Sequence, residues 1–391
     1  MGRTKSEKPR LLFVVNVDWF FLSHRLPLAR AARDAGIEVL VAAADSGKSE
    51  EIRREGLGFV PLPFSRQGVG LIDEAKSLLS LVRLYRRLQP DLIHHVTMKP
   101  VLYGSLASRV VGDVKVVNVP TGFGYIFTSS ERARAIRAMA TVLFWATTLN
   151  SYSRTIFHNP DDLETFVEKR LVRPNQAVLI RGSGVDCARF KETPEPAGEP
   201  VVMLASRMLW DKGVGEFVEA ARILRDSGEK ARFVLVGDSD PGNPTGVPVE
   251  QLNAWVRSGV VEWWGYQSAM PKVLSSANVV VLPSYHEGLP KVLLEAAASA
   301  RAIVATDVPG CREIVQHEVN GLLVPPRSSE PLARAIRVLL QSSGLRARFG
   351  RAGREIALSE FSERIVVSQT LDLYRDLLES KWPKAPVALP Q

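Results

Sequence analysis

The feature that most constrains this chain is an alternation: short apolar, β-branched runs recur along it, separated by stretches of helical periodicity. In the first half the runs are residues 11–17, 37–44, 58–62, 91–96, 114–119 and 154–158, and helical patterns occupy about 23–35, 71–88, 101–111 and 132–149. The runs are continuously apolar rather than alternating with polar residues, which predicts strands buried on both faces. The expectation is therefore a βαβα chain wound into a parallel sheet with helices on both sides. The pattern stops at residues 191–200, KETPEPAGEP, where three prolines, a glycine and four charged residues read as a linker. It then restarts, with runs at 201–206, 232–236, 260–264, 279–283 and 302–306 and helices at about 214–227, 249–257 and 290–300. Residues from about 330 to 380 carry helical periodicity alone and predict two or three helices, the last crossing back to the first domain.

This organisation divides the 391 residues into an N-terminal Rossmann-like domain, 1–190, a second one, 191–360, and a returning C-terminal helix, 361–391. Ligands of open α/β sheets bind beyond the carboxyl ends of the strands, so chemistry is expected in the loops that follow strands. Lys and Arg number 50 against 42 Asp and Glu, a net charge of +8, which suits nucleic acid, phospholipid or a phosphorylated small molecule. Cys187 and Cys311 lie far apart without metal-ligand neighbours, so neither a disulfide framework nor a zinc site is expected, and a reducing cytoplasm fits. The charged first ten residues lack the apolar stretch of a secretory signal. Met1-Gly2 with Ser6 matches a myristoylation pattern short enough to recur by chance. The longest uncharged apolar run, 138–149, falls short of the roughly 20 residues that cross a bilayer.

The first strand ends in Asn16-Val17-Asp18-Trp19, so the glycine fingerprint of a nicotinamide enzyme is missing, and no P-loop pattern occurs. Arg207 and Lys212 share one strand-to-helix loop, where two cations can neutralise a diphosphate or simply sit in solvent. The segment Ser284-Tyr285-His286-Glu287-Gly288-Leu289-Pro290 links a strand to a helix that begins at a proline, and its N–H groups can approach an anion. Glu287 in that loop and Glu295 within the helix reach the cleft at different depths.

Arg207, Lys212, the Glu287–Glu295 spacing, Gly265 after a strand, Asp307-Val308-Pro309-Gly310-Cys311-Arg312-Glu313 and Asn320-Gly321-Leu322-Leu323-Val324-Pro325 occur in one order. In this order they resemble the family 4 glycosyltransferases, over nearly the whole chain and most strongly from about 201 to 326. The resemblance implies an α/β, GT-B architecture: two doubly wound Rossmann-like domains facing a central cleft, with C-terminal helices. It implies retaining transfer of a sugar from a nucleotide diphosphate donor, UDP-hexose or UDP-N-acetylhexosamine, with Glu287, Arg207 and Lys212 as the catalytic set. Arg207 and Lys212 would contact the donor diphosphate and Glu295 the ribose hydroxyls. Glu287 with the Gly288 and Leu289 backbone would meet the transferred sugar, and Gly265-Tyr266 would flank the base. Fixed cations and helix-terminal N–H groups stabilise a departing diphosphate without a metal, so no metal or other cofactor is expected. The two-carboxylate scheme of glycoside hydrolases is not imposed on Glu287 and Glu295.

The N-terminal half is similar to a narrower group that extends lipid-linked oligosaccharides in bacterial glycan assembly. The matching pieces are Asp18-Trp19-Phe20-Phe21-Leu22-Ser23-His24-Arg25, His94-His95-Val96-Thr97-Met98-Lys99-Pro100 with Tyr103-Gly104, Thr121-Gly122-Phe123-Gly124-Tyr125, and Gly237-Asp238 with Asn243-Pro244. This likeness implies a polyprenyl-diphosphate-linked saccharide acceptor, with Asp18, His24, Thr97 and Lys99 serving the acceptor or the donor sugar and Gly122 the acceptor. Two departures stand out: Val96 replaces a histidine common in the family, and Val17-Asp18 replaces a glycine pair. His24 also suits a helix N-terminal residue satisfied by local hydrogen bonds, and His95 a buried strand residue. Arg132, Arg134 and Arg137 ahead of the 138–149 run, with Lys76, Arg83, Arg86 and Arg87 on the 71–88 helix, predict weak association with the anionic inner face of the plasma membrane, against a plain core helix with a basic end. The competing classes are a nucleotide-sugar epimerase of related fold and a basic nucleic-acid-binding protein. No nucleic-acid-binding motif accompanies the charge, so no nucleic-acid partner is expected.

Overall fold

A computed structural model describes residues 8–63, 71–112, 114–121, 144–145 and 150–383. The chain divides into two compact units, Met1–Ser183 with Arg364–Gln391, and Gly184–Glu363. Unit 1 carries β1 (Arg10–Val17), α1 (Asp18–His24), α2 (Leu26–Asp34), β2 (Glu38–Ala44), α3 (Ser49–Arg54), β3 (Gly58–Pro61), α4 (Leu71–Leu88), β4 (Leu92–Val96), α5 (Met98–Val111), β5 (Lys115–Val119), β6 (Ser153–Phe157), α6 (Pro160–Glu168) and β7 (Ala177–Leu179). Its strands form one parallel sheet in the order β3-β2-β1-β4-β5-β6-β7. Unit 2 carries β8 (Val201–Ala205), α7 (Val214–Asp226), β9 (Arg232–Val236), α8 (Val249–Arg257), β10 (Glu262–Trp263), α9 (Met270–Ser275), β11 (Val279–Leu282), α10 (Lys291–Ala298), β12 (Ala302–Thr306), α11 (Pro309–Ile314), β13 (Gly321–Val324), α12 (Ser329–Leu340) and α13 (Ser343–Glu360). Its parallel order is β10-β9-β8-β11-β12-β13. The last helix, α14 (Glu363–Leu378), buries Val366, Val367, Leu371 and Tyr374 in the core of unit 1.

Continuous apolarity has the consequence that the sequence pattern implies. In β1, Leu11, Phe13 and Val15 join the layer of α1, α2 and α14, while Leu12 and Val14 join α4 and α5 on the opposite face. Unit 2 repeats the arrangement, with Val202 and Leu204 against α7 and α12 and Val201 and Met203 against α10 and α13. Each sheet therefore reverses its strand order between its first and fourth strands, β1/β4 and β8/β11, and leaves a crevice site beyond the carboxyl ends there.

Three local details differ from the sequence pattern. The expected helix over 23–35 is two helices broken at Arg25, because Pro27 at the start of α2 cannot donate an amide hydrogen and its ring clashes with a continuing helix. Strands β7 and β13 have only three and four residues, too few for a clear run. The proline-rich segment is a strap packed on unit 2. Arg301, buried, donates to Leu274 O (3.0 Å) and to Thr193 Oγ1, and Arg346, also buried, grips both oxygens of Glu195 (3.0 and 2.8 Å), which also accepts from Asn278 Nδ2 (3.1 Å). The first boundary between units lies before the strap, at Ser183/Gly184. Removing the carboxylate leaves the buried Arg346 charge with backbone carbonyls alone (Leu339 O, 2.7 Å, and Leu340 O, 3.1 Å), so Glu195→Ala is expected to lower the stability of unit 2 by about 3 kcal/mol, measured by urea unfolding.

Candidate functional site

The site in unit 2 is built where its strand order reverses. The loop after β8 ends in a turn at Trp210–Lys212 and in Gly213, which stands at φ 73°. A Cβ on Gly213 would lie 2.2 Å from the carbonyl oxygen of Pro283, so only glycine lets this loop rest on the end of β11. That approach brings Lys212 Nζ to 2.6 Å from Glu287 Oε1, with the two side chains 20% and 12% exposed. Ser284 Oγ donates to the same carboxylate oxygen (2.7 Å). The loop after β11 is tied twice more: Tyr285 N donates to Asp211 O in the loop after β8 (2.9 Å), and the Tyr285 hydroxyl to Glu216 Oε1 in the first turn of α7 (2.6 Å). Beneath them α11 begins so close that a Cβ on Gly310 would meet Gly288 O at 2.5 Å. The thiol of Cys311, buried beside Glu287, is pushed well above the usual range, chiefly by burial. Gly288 and Leu289 complete the turn that enters α10, and Glu295 lies half-buried farther along that helix.

Gly265 and Tyr266 are held to the same edge of the sheet. Gly265 adopts φ 64°, its carbonyl accepts from Gly237 N (2.8 Å), and Tyr266 N donates to Asp238 Oδ1 (2.9 Å), leaving the Tyr266 ring 71% exposed. Arg207 is half-exposed and pairs with Asp240 (3.1 Å), while Lys212 pairs with Glu287. Sequence reading missed Ser284, Glu216 and Asp240. The first stands three residues before Glu287, the spacing of a turn, whereas nothing local marks the other two.

In unit 1, Asp18 is fully buried, and its carboxylate accepts from Trp19 N (2.7 Å), Ser46 N (2.8 Å), Lys48 N (2.9 Å) and Ser46 Oγ. It therefore fixes the 46–48 loop. The His24 ring stacks on Phe20 at 4.1 Å and shares its Nδ1 with Ser23 Oγ (2.6 Å). His95 is a core residue: Nδ1 meets Asn118 Oδ1, Nε2 meets the Tyr85 hydroxyl (each 2.8 Å), and burial pushes its pKa down to about 4. A Cβ on Gly104 would lie 2.3 Å from that imidazole, which accounts for the glycine. Thr97, directly after β4, stands at φ 75°, a strained conformation for a β-branched residue, and its buried Oγ1 has no hydrogen-bond partner among the described residues. Val15 pairs with Val96, so Asn16, whose Oδ1 is also buried and unpartnered, stands beside Thr97 at the strand-order reversal. Lys99 is half-buried in the first turn of α5. Gly122, Arg132, Arg134 and Arg137 lie outside the described residues, as does most of the 138–149 run. On α4, Lys76, Arg83, Arg86 and Arg87 are exposed and Leu81, Leu84 and Tyr85 buried.

Residues 10–152 match the family model described as glycosyl transferase 4-like, and residues 199–342 the one described as glycosyl transferases group 1. The chain is a family 4 glycosyltransferase. It is 28% identical over 382 residues, 92% of this chain and 99% of the relative, to the N,N'-diacetylbacillosaminyl-diphospho-undecaprenol alpha-1,3-N-acetylgalactosaminyltransferase of Campylobacter jejuni. It is 23% identical to the UDP-Gal:alpha-D-GlcNAc-diphosphoundecaprenol alpha-1,3-galactosyltransferase of Escherichia coli, covering 82% of this chain and 84% of that one. Among solved structures, HepE of Anabaena in complex with UDP-glucose superimposes with a TM-score of 0.75 at 20% identity, over 94% of this chain and 99% of that one. The sucrose-phosphate synthase of Thermosynechococcus elongatus does so with 0.79 at 21%, over 95% and 100%. These likenesses establish the GT-B fold, two Rossmann-like domains, for the glycosyltransferase.

Among the described residues of the glycosyltransferase, no three or more His, Cys, Asp or Glu are grouped so as to hold a metal ion, and no helix is long and apolar enough to cross a membrane. Burial pushes the Glu295 carboxyl up from 4.5 to about 7, against the opposing charges of Lys291 and Arg189. The folded enzyme therefore holds this proton where the unfolded chain has lost it, and stability falls as pH rises from 4.5 to about 7. Glu295→Gln is expected to flatten that slope, with its stability relative to wild type rising between about pH 5 and pH 8 in urea titrations.

Proposed function

We propose that this glycosyltransferase moves a hexose or N-acetylhexosamine, with retention, from a UDP donor to a polyprenyl-diphosphate-linked saccharide in the assembly of a cell-surface polysaccharide or glycan. The observation that carries the reading is the Lys212–Glu287 pair, held between two loops at the strand-order reversal of unit 2. The Campylobacter and Escherichia relatives, both named for undecaprenyl-diphosphate-linked substrates, support the acceptor class. The shared fold of HepE, solved with UDP-glucose, supports the donor class.

In this reading the donor diphosphate takes Lys212 from Glu287, and Arg207 turns from Asp240 to the same phosphates. The bond between the sugar's anomeric carbon and the phosphate oxygen breaks as the acceptor hydroxyl bonds that carbon from the face being vacated, and the hydroxyl proton passes to the departing phosphate. Lys212, Arg207 and the N–H groups of Gly288 and Leu289 bear the charge that develops on the leaving diphosphate, so the step needs no metal ion. Glu287, released from Lys212, accepts hydroxyls of the transferred sugar, and Glu295 those of the ribose. The Gly265-Tyr266 edge flanks the base. Thr97, Lys99, His24 and Gly122 serve the acceptor, while Asp18 acts through the loop that it fixes. The enzyme works in the cytoplasm, where the basic face of α4 draws it weakly to an anionic membrane.

Transfer from a panel of UDP-sugars to a polyprenyl-diphosphate-linked saccharide, assayed in EDTA with the product anomer read by NMR, tests the reaction. A retained anomer is expected, and Lys212→Ala and Glu287→Gln should each lower kcat by about a hundredfold or more with the fold intact. An inverted anomer, or transfer that requires added metal, would contradict the mechanism. Sedimentation with anionic but not neutral liposomes at low salt is expected, and the Arg83→Glu/Arg86→Glu/Arg87→Glu variant should lose it.

A further inference from the structure

The face of unit 1 covered by α1, α2 and α14 contains a positive charge without a counter-charge. Arg25, at the junction of α1 and α2, is 6% exposed, and its guanidinium makes no hydrogen bond or ion pair with any described residue; its Nε is fully buried and unpartnered. The buried arginines of unit 2 show the ordinary solution, since Arg301 meets carbonyl oxygens and Arg346 a carboxylate. The groups that feel the Arg25 charge are the Tyr374 hydroxyl and the rings of His94 and His158. The backbone N–H of Arg25 donates to Phe21 O (2.8 Å), and the Phe21 ring packs on Phe13 (5.5 Å), which in turn packs on His94 (5.0 Å).

His94 Nδ1 is hydrogen-bonded to the hydroxyl of Tyr374 on α14, while Nε2 is buried without a partner. With Tyr374 donating to Nδ1, the ring hydrogen sits on Nε2, which makes it a donor. The Arg25 charge also bears on His158, which directly follows β6; burial and that charge keep His158 neutral, its pKa pushed down to about 4. His158 Nδ1 is engaged by the 180–182 segment, and its partial exposure opens the cluster toward the carboxyl ends of the strands. Among the described residues no carboxylate pairs with Arg25, so the cluster is one fixed cation beside neutral polar groups.

We propose that Arg25, with His94 Nε2 as a second donor, forms an oxyanion site within unit 1 that takes a phosphate group. A guanidinium presents paired N–H donors that match two phosphate oxygens, and an arriving anion supplies the counter-charge that the fold omits. The phosphate is either free inorganic phosphate or part of a lipid-linked acceptor's diphosphate. The second source rests on the function proposed above; the site itself does not.

Thermal unfolding of the full chain at constant ionic strength tests this, with inorganic phosphate, farnesyl diphosphate or chloride alone as the added anion. Phosphate or farnesyl diphosphate is expected to raise the melting temperature by several degrees over chloride, both in wild type and in Arg207→Ala/Lys212→Ala. The rise should disappear in Arg25→Met and shrink in Arg25→Lys, and Arg25→Met in chloride should melt above wild type because an unpaired buried charge is gone. A response to inorganic phosphate identifies the free ion; a response to farnesyl diphosphate alone identifies the acceptor. A rise that survives Arg25→Met, one lost in Arg207→Ala/Lys212→Ala, or none with either anion overturns the proposal. Should Arg25→Met not fold, phosphorus NMR titrations of wild type against Arg25→Lys decide it, equal line broadening in the two overturning it. The readout needs no sugar transfer, so loss of transfer with an intact shift counts against the proposed function alone.

Discussion

The close contact of Gly213 with the end of β11 is the constraint on which the candidate site depends. Because the chain there is left-handed and lies against Pro283 O, the loop after β8 cannot drift from the loop after β11, and Lys212 is delivered to Glu287. The same logic repeats below, where Gly310 lets α11 reach the Glu287–Gly288 peptide, and at the side, where Gly237 lies so near Ser206 O that a Cβ would stand 1.9 Å away. Three glycines thus fix three loops by backbone contact rather than by side chains, leaving the charged side chains to face a ligand. A cation held by a carboxylate in advance loses little freedom when a diphosphate replaces that carboxylate, which is the physical content of preorganisation.

The strand-helix alternation was legible because continuous apolar runs have one cheap solution, burial between two helical layers, and both sheets adopt it. What local pattern could not show was set by tertiary contact. The strap at 191–200 has the composition of a free spacer, yet Arg301 and Arg346, more than a hundred residues downstream, bind Thr193 and Glu195. Arg207 and Lys212 look equivalent in sequence, whereas in the fold each has its own acidic partner. Gly213 and Gly310 carried no visible role until the backbones that they touch were placed.

The N-terminal unit separates residues that look alike in the sequence. His94 and His95 are neighbours, but the strand turns them to opposite faces: His95 is saturated between Tyr85 and Asn118, and His94, which feels the Arg25 charge, keeps an Nε2 unpartnered among the described residues. Asp18 and Thr97 both follow strands, yet Asp18 is spent on the backbone of a loop, while Thr97 and Asn16 hold unpartnered oxygens at the sheet's reversal. Buried polar atoms are normally satisfied, so those that are not mark places where a ligand can complete the structure.

The central claim is that Lys212 is a preorganised diphosphate cation held in reserve by Glu287. Calorimetric titration of UDP in EDTA against wild type, Lys212→Ala, Glu287→Gln and the double variant tests it most directly. The account predicts that Lys212→Ala weakens UDP by about tenfold or more, that Glu287→Gln leaves it equal or tighter because the competing carboxylate is gone, and that the double variant matches Lys212→Ala. Unchanged UDP affinity in Lys212→Ala would contradict it.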